Sequence, residues 1–221
     1  PMTGRDDGAV PISFEPRRRP AQERSRRRFD AVLKAARDEL VDNGFESFTC
    51  LQVAARAGIP IGSVYQFFPN KYAIVCELDR TDLLAVQAEL EHFASEIPSL
   101  EWALLLDRVI DHLATLWRDD PSRRAVWMAM QMTPMTRDVA ARHERALATQ
   151  VTRLLAPLTP GSQLVHRQEI AEVLVHVTYS VLSFSVRDGQ DHPSAVAQLK
   201  VMLTAYLQAA EAMATPKRSA S

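Results

Sequence analysis

A chain of 221 residues that is 47% apolar and 24% charged, with a formal net charge of −1, has enough apolar surface for one large domain or a small one beside a larger one, which excludes a wholly disordered or fibrous chain. Two cysteines, Cys50 and Cys76, are too few for a disulfide framework or a metal cage and read as packing residues. No apolar run reaches membrane-spanning length and no leader segment is readable, so a cytoplasmic protein without a membrane partner is expected.

Charge is unevenly placed along the chain. Residues 1–71 hold 12 Lys and Arg against 9 Asp and Glu, and the remainder holds 14 against 18. Within Pro16–Arg28, "PRRRPAQERSRRR", seven arginines accompany one glutamate. Such a run is either a solvated tail or a contact for a polyanion.

Residues 1–23 are rich in Gly, Pro, Asp and Arg and lack periodicity, which predicts a disordered arm. From Arg24 a helix reads clearly, with Phe29, Val32, Leu33, Ala36 and Leu40 on one stripe and Asn43-Gly44 as its stop. Thr49-Cys50-Leu51-Gln52 is a capping-box pattern that starts a helix at Cys50. That helix continues through Val53, Ala54 and Ala57 and stops at Gly58. Pro60, tolerated at a first helical position, opens a short helix to Phe68. Two short helices joined by a three-residue turn containing glycine form a helix-turn-helix. In that arrangement the second helix enters the DNA major groove. Pro69 breaks it, and Asn70 caps a long helix from Lys71 to about Ser95.

Five further helices are predicted at about Leu100–Arg118, Ser122–Met132, Thr136–Leu155, Gln163–Arg187 and Ser194–Ala214. Pro98, Pro121, Pro134, Pro157 with Pro160, and Pro193 separate them as breakers. The fold class is therefore all-α. No glycine-rich phosphate loop, HExxH, paired CxxC or GxSxG occurs, so no catalytic residue, metal site or cofactor is predicted. Asp107, Asp111 and His112 are close in sequence, which by itself does not make an active site.

Short stretches of this chain, "AARDELVDNGFESF" followed by "TCLQVAARAGIPIGSVYQFFPNKYAIV", resemble the DNA-binding domain of the tetracycline-repressor (TetR) family of bacterial transcriptional regulators. The resemblance covers about residues 25–75 and rests on Thr49, the Ala54-x-x-Ala57-Gly58 turn, Ser63-Val64-Tyr65, Phe68 and Lys71. It implies a three-helix DNA-binding domain over 24–70 and a larger ligand-binding and dimerisation domain over 71–214, flanked by the arm at 1–23 and a disordered tail at 215–221.

On the short helix, Val64 and Phe68 face the core by spacing, leaving Ile61, Gly62, Ser63, Tyr65, Gln66 and Phe67 for the groove side or rim. The resemblance assigns Tyr65 and Lys71 to phosphates, and Thr49 to another phosphate at its helix N-terminus. Ser63 and Gln66 are candidates for hydrogen bonds to bases, and Ile61 for a thymine methyl. With no charge on the short helix, affinity is expected to lean on Lys71, Arg56 and the N-terminal arginines, Arg26 and Arg27 among them.

The last two helices are apolar on more than one face, through Ile170, Val173, Leu174, Val177, Val181, Leu182 and Phe184 in one and Val196, Leu199, Met202, Leu203, Tyr206 and Leu207 in the other. Such helices are buried twice. The resemblance implies a homodimer through Val173, Val177, Val181, Phe184, Leu199, Met202, Leu203 and Tyr206. Trp102, Trp117 and Trp127 with Met128, Met130, Met132 and Met135 concentrate in one region. Ordinary core and an adaptable cavity are equally good readings of that composition. The resemblance favours a cavity for a largely apolar small-molecule effector, lined by Trp102, Leu106, Val109, His112, Leu113, Trp117, Trp127, Met128, Gln131, Met135, His176 and Tyr179. A dimeric, ligand-responsive repressor of a palindromic double-stranded operator is the expectation. A small-molecule-binding or protein-interaction module that no longer reads DNA is the alternative, raised by the uncharged short helix.

Overall fold

In the computed structural model, residues 12–96, 102–156, 164–187 and 190–214 are described. Among them the chain forms nine helices and no strand: α1 Glu23–Ser47, α2 Cys50–Ala57, α3 Ile61–Phe67, α4 Lys71–Glu96, α5 Trp102–Asp119, α6 Pro121–Gln131, α7 Pro134–Leu155, α8 Leu164–Ser185 and α9 Pro193–Ala214. The predicted punctuation is visible at most joints. Gly44 breaks α1 with φ +70°, and Gly58 ends α2 with φ +65°. A side chain on either glycine would meet nothing within 4 Å, so the left-handed backbone, not lack of room, calls for glycine there. Pro121, Pro134 and Pro193 are the first residues of their helices, where a missing N–H costs nothing. Pro98, Pro157, Pro160, Gly161, Gly189 and the tail from 215 lie outside the described residues.

The Thr49 hydroxyl accepts from the Gln52 backbone N–H at 3.2 Å as expected. The return half of the box differs, because Gln52 Oε1 takes the Thr49 hydroxyl proton at 2.6 Å. Asn70 caps α4 by accepting from Ala73 N–H at 2.9 Å.

Two apolar clusters hold the fold. One gathers Phe29, Val32, Phe48, Val53, Val64, Phe67, Phe68 and Ile74 from α1–α4 and continues into Val126, Ala129 and Met130 of α6 and Val139 and Ala140 of α7. The N-terminal helices therefore share their core with α6 and α7. The other joins the second half of α4 to α5, α7, α8 and α9 through Leu90, Ile110, Leu147, Ile170, Leu174, Leu199 and Leu203. Between the clusters, Arg37 of α1 donates to both Asp82 carboxylate oxygens at 2.7 and 3.2 Å and to Ser122 Oγ at 3.1 Å. One guanidinium thus ties α1, α4 and α6. Cys50 and Cys76 are free and buried. Burial pushes the Cys76 thiol up to about 12, which suppresses thiolate chemistry and suits a packing role.

Residues 12–22 correct the expected disorder. Arg17 N–H donates to Phe67 O at 2.7 Å, Asn70 Nδ2 donates to Ser13 O at 3.0 Å, and the Phe14 ring meets Tyr72 edge-on at 6.5 Å. An irregular segment becomes ordered when its backbone groups and one aromatic find partners; the composition that signalled disorder does not report those partners. Residues 1–11 of the predicted arm lie outside the described residues.

Candidate nucleic-acid interface and effector cavity

Helix α3 is too short to be stable alone and is held by its buried side. Val64, Phe67 and Phe68 are 0%, 2% and 0% exposed. Phe67 stands edge-on to Phe29 at 5.5 Å, while Phe68 stacks on the same ring at 5.0 Å. Phe67 was expected on the groove side, and this is a correction: spacing counted Val64 and Phe68 as the core pair, but Phe68 lies just past the helix, so Phe67 completes its inner face. The outer face presents Gly62, Gln66 and Tyr65, the last 46% exposed, with Ile61 and Ser63 half-buried at its start. Thr49 is exposed at the N-terminus of α2.

The expected cations are constrained. Lys71 Nζ donates to Phe45 O at 3.3 Å and lies 4.4 Å from the Phe45 ring centroid, which fixes the ammonium at the start of α4. Arg56 pairs with Glu39 at 2.8 Å and Asp42 at 2.7 Å, so two carboxylates already answer its charge. Arg26 Nη2 donates to Ala21 O at 3.2 Å, and Arg27 pairs with Glu23 at 2.9 Å, both on the exposed face of α1. The structure brings Ile61–Gln66 and Lys71 to one end of the molecule. Arg18, which sequence reading did not single out beyond its place in the arginine run, reaches the same end with its guanidinium 5.7 Å from the Phe67 centroid.

Inside the second cluster lies a cavity of about 170 Å³. Trp102, Leu106, Val109, His112, Leu113, Trp117 and Tyr179 line it. Burial raises the Tyr179 phenol pKa, keeping a neutral hydroxyl on an apolar wall. His112 Nε2 stands 3.3 Å from Glu89 Oε2, but no hydrogen bond is aligned on that nitrogen. Sequence reading missed the contributions of α4, α7 and α9, such as Leu90, Phe93, Val151 and Leu207; the apolar spacing of Leu83, Val86, Leu90 and Phe93 was the available signal.

Five expected lining residues lie elsewhere. Trp127 borders an adjoining cavity of about 30 Å³ with Asp79, Asp82, Arg123, His143 and Glu144. Met128 is 40% exposed in a groove between α1 and α6. Gln131 ends α6 and Met135, 41% exposed, starts α7, away from the cavity. His176 lies on the outside of α8, its ring Nδ1 3.1 Å from Glu144 Oε2. Clustering in sequence does not place residues on one face, and α6 packs against α1 more than against any other helix.

On the outer side of α8 and α9, Val173, Phe184, Met202 and Tyr206 are 46%, 46%, 47% and 37% exposed. Val201, not expected, joins them at 61%. Val177 and Val181 are half-buried against the chain's own core. Leu199 and Leu203, expected on a dimer face, are 0% and 3% exposed in that core, a correction that follows from helical phase: Met202 and Leu203, one residue apart, point to different sides.

Among the described residues no group of three or more His, Cys, Asp or Glu side chains is placed to hold a metal ion, and no helix is long and apolar enough to cross a membrane.

Residues 32–78 match the family profile described as bacterial regulatory proteins, tetR family. Residues 100–211 match the profile described as tetracyclin repressor-like, C-terminal domain. No curated protein sequence matches. Among solved structures, a TetR-family transcriptional regulator from Streptomyces coelicolor aligns with a TM-score of 0.64 at 24% identity, over 83% of this chain and 99% of that one. The SmeT repressor of the Stenotrophomonas maltophilia multidrug efflux pump SmeDEF aligns at 0.61 and 20% identity, over 81% and 88%. Thermus thermophilus FadR, a TetR-family repressor solved with lauroyl-CoA, aligns at 0.61 and 15% identity, over 87% and 98%. The helix-turn-helix, the larger helical domain and both profile matches place the chain in the TetR family of bacterial transcriptional regulators, DNA-binding proteins and not enzymes.

Proposed function

We propose that the protein is a homodimeric, cytoplasmic repressor that binds a palindromic operator through α3 and is released from it by a small, largely apolar effector held in the α4–α9 cavity. The observation that carries this reading is the pairing of two features along α4. At one end stands a short helix anchored by Val64, Phe67 and Phe68 with Tyr65 and Gln66 turned outward. At the other, α4 contributes Val86, Leu90 and Phe93 to the cavity wall.

Ser63 and Gln66 are assigned to base edges, Ile61 to a thymine methyl, Gly62 to close backbone approach, and Thr49, Tyr65 and Lys71 to phosphates. The exposed row Val173, Phe184, Val201, Met202 and Tyr206 is the proposed dimer face; an apolar row of this kind favours association. Two copies of α3 in a dimer must meet successive major grooves about 34–36 Å apart. A ligand that widens the α4 pair then weakens DNA binding, and DNA weakens the ligand by the same factor.

The test is reciprocal. Compounds that raise the Tm are titrated into the complex with a duplex carrying the preferred motif. Release of DNA, with equal weakening of the compound by DNA, is expected. A compound that fills the cavity and leaves DNA affinity unmoved contradicts effector release.

A further inference from the structure

Cations placed on phosphates supply a large share of protein–DNA affinity, yet α3, "IGSVYQF", carries no charged side chain. The N-terminal segment brings cations to the end of that helix. Arg17 N–H donates to Phe67 O at 2.7 Å, occupying one of the carbonyls a helix leaves open at its C-terminus. The Arg18 guanidinium stacks 5.7 Å from the Phe67 centroid, covering the ring that sequence spacing had placed in the groove. On the other side, Arg19 makes a two-pronged contact with Glu77, Nε to Oε1 at 3.0 Å and Nη2 to Oε2 at 2.7 Å. Glu77 is 2% exposed, whereas Arg17 and Arg18 are both exposed. With Ser13 tied to Asn70 and Phe14 against Tyr72, the segment is a strap across the end of α3 and the start of α4. An arginine stacked on a ring keeps the donors at its planar edge available.

We propose that residues 12–19 form a docked arm that presents Arg17 and Arg18 to DNA phosphates beside the segment contacted by α3, with Arg19 and Glu77 as the positioning pair that holds the arm. The inference rests on reading α3 as the groove helix. The arm supplies the positive charge α3 lacks, and its order before binding removes part of the entropy that a free tail would lose on the DNA.

The experiment uses the full chain and fluorescence anisotropy on two labelled duplexes, one carrying the inverted repeat enriched from a random pool and one a scramble of it, between about 50 and 200 mM salt. For the double variant Arg17→Ala/Arg18→Ala, which takes two cations from each protomer and so four phosphate contacts from the dimer, the slope of log affinity against log salt falls by about 3.6 units on both duplexes, so the affinity lost over that salt range shrinks on the order of a hundredfold. Arg19→Ala removes no phosphate contact: it weakens binding several-fold with the wild-type slope, and Arg19→Lys recovers part of the loss. Thermal melts establish that each variant is folded. Wild-type affinity and slope in the double variant overturn the proposal, and wild-type behaviour of Arg19→Ala overturns the positioning role. If the wild-type chain enriches no repeat and binds neither duplex, the groove-helix reading fails instead.

Discussion

Arg19 and Glu77, 58 positions apart in the chain, meet through two hydrogen bonds of 3.0 and 2.7 Å, and Arg80 adds two more to the same carboxylate at 2.9 and 2.7 Å. Burial pushes the Glu77 carboxyl up, but the bonds from Arg80 and Arg19 outweigh it and hold its pKa below the ordinary value. A carboxylate depressed in the folded state contributes stability that is fully present above its unfolded pKa, about 4.3. That contribution is lost as pH falls through the folded value. Glu77→Gln is expected to cost about 1–3 kcal/mol at neutral pH and to flatten the acid limb of a Tm-against-pH curve. Asp82 acts with the opposite sign, since burial raises its pKa despite Arg37. An acid limb as steep in the variant as in the wild type contradicts the assignment to Glu77.

Phe67 and Tyr65 are two positions apart on α3 and separate stability from recognition. Phe67→Ala opens the space beside Phe29 and is expected to cost about 3–5 kcal/mol, losing DNA binding through loss of the folded head. Tyr65→Ala and Gln66→Ala change exposed side chains and are expected to leave stability within about 0.5 kcal/mol while weakening the duplex complex. Denaturant unfolding alongside anisotropy distinguishes the two. A Phe67→Ala protein of wild-type stability would return that ring to the groove side.

Filling the cavity tests its role. Val109→Trp directs a large ring into the space of about 170 Å³. The fluorescent apolar probe N-phenyl-1-naphthylamine is expected to bind the wild type and to lose most of its affinity for the variant, with DNA affinity retained. Equal probe binding by both proteins places the probe elsewhere and removes the cavity as the effector site.

The outer and inner faces of α9 differ in the same way. Met202→Asp puts a charge on the exposed apolar row and is expected to shift the protein from dimer to monomer in light scattering. Leu199→Ala leaves the dimer intact and costs about 2–5 kcal/mol of unfolding free energy. A dimeric Met202→Asp protein moves the interface off this face.

Much of the fold is legible in the sequence because the punctuation is local: Gly58, Pro60, Asn70, Pro121, Pro134 and Pro193 each act within a turn of themselves. Periodicity found the buried stripe of α1, but it misassigned Phe67, because at a helix end one residue of frame decides which ring faces inward. Of the Trp and Met cluster, only Trp102 and Trp117 of α5 reach the larger cavity, since α6 packs on α1, a long-range choice that no local pattern carries. The arm was illegible for a related reason: Arg19 looks like any solvated arginine until the chain returns with Glu77.

Selection of bound fragments from a random double-stranded DNA pool, run with the full chain at two salt concentrations, tests the central claim most directly. The account predicts enrichment of one inverted repeat whose half-site centres lie about 34–36 Å apart, with affinity falling as salt rises and the motif preserved. Salt-sensitive binding that enriches no shared motif, or a lone half-site bound by one copy, would contradict a dimeric reader of a palindromic operator.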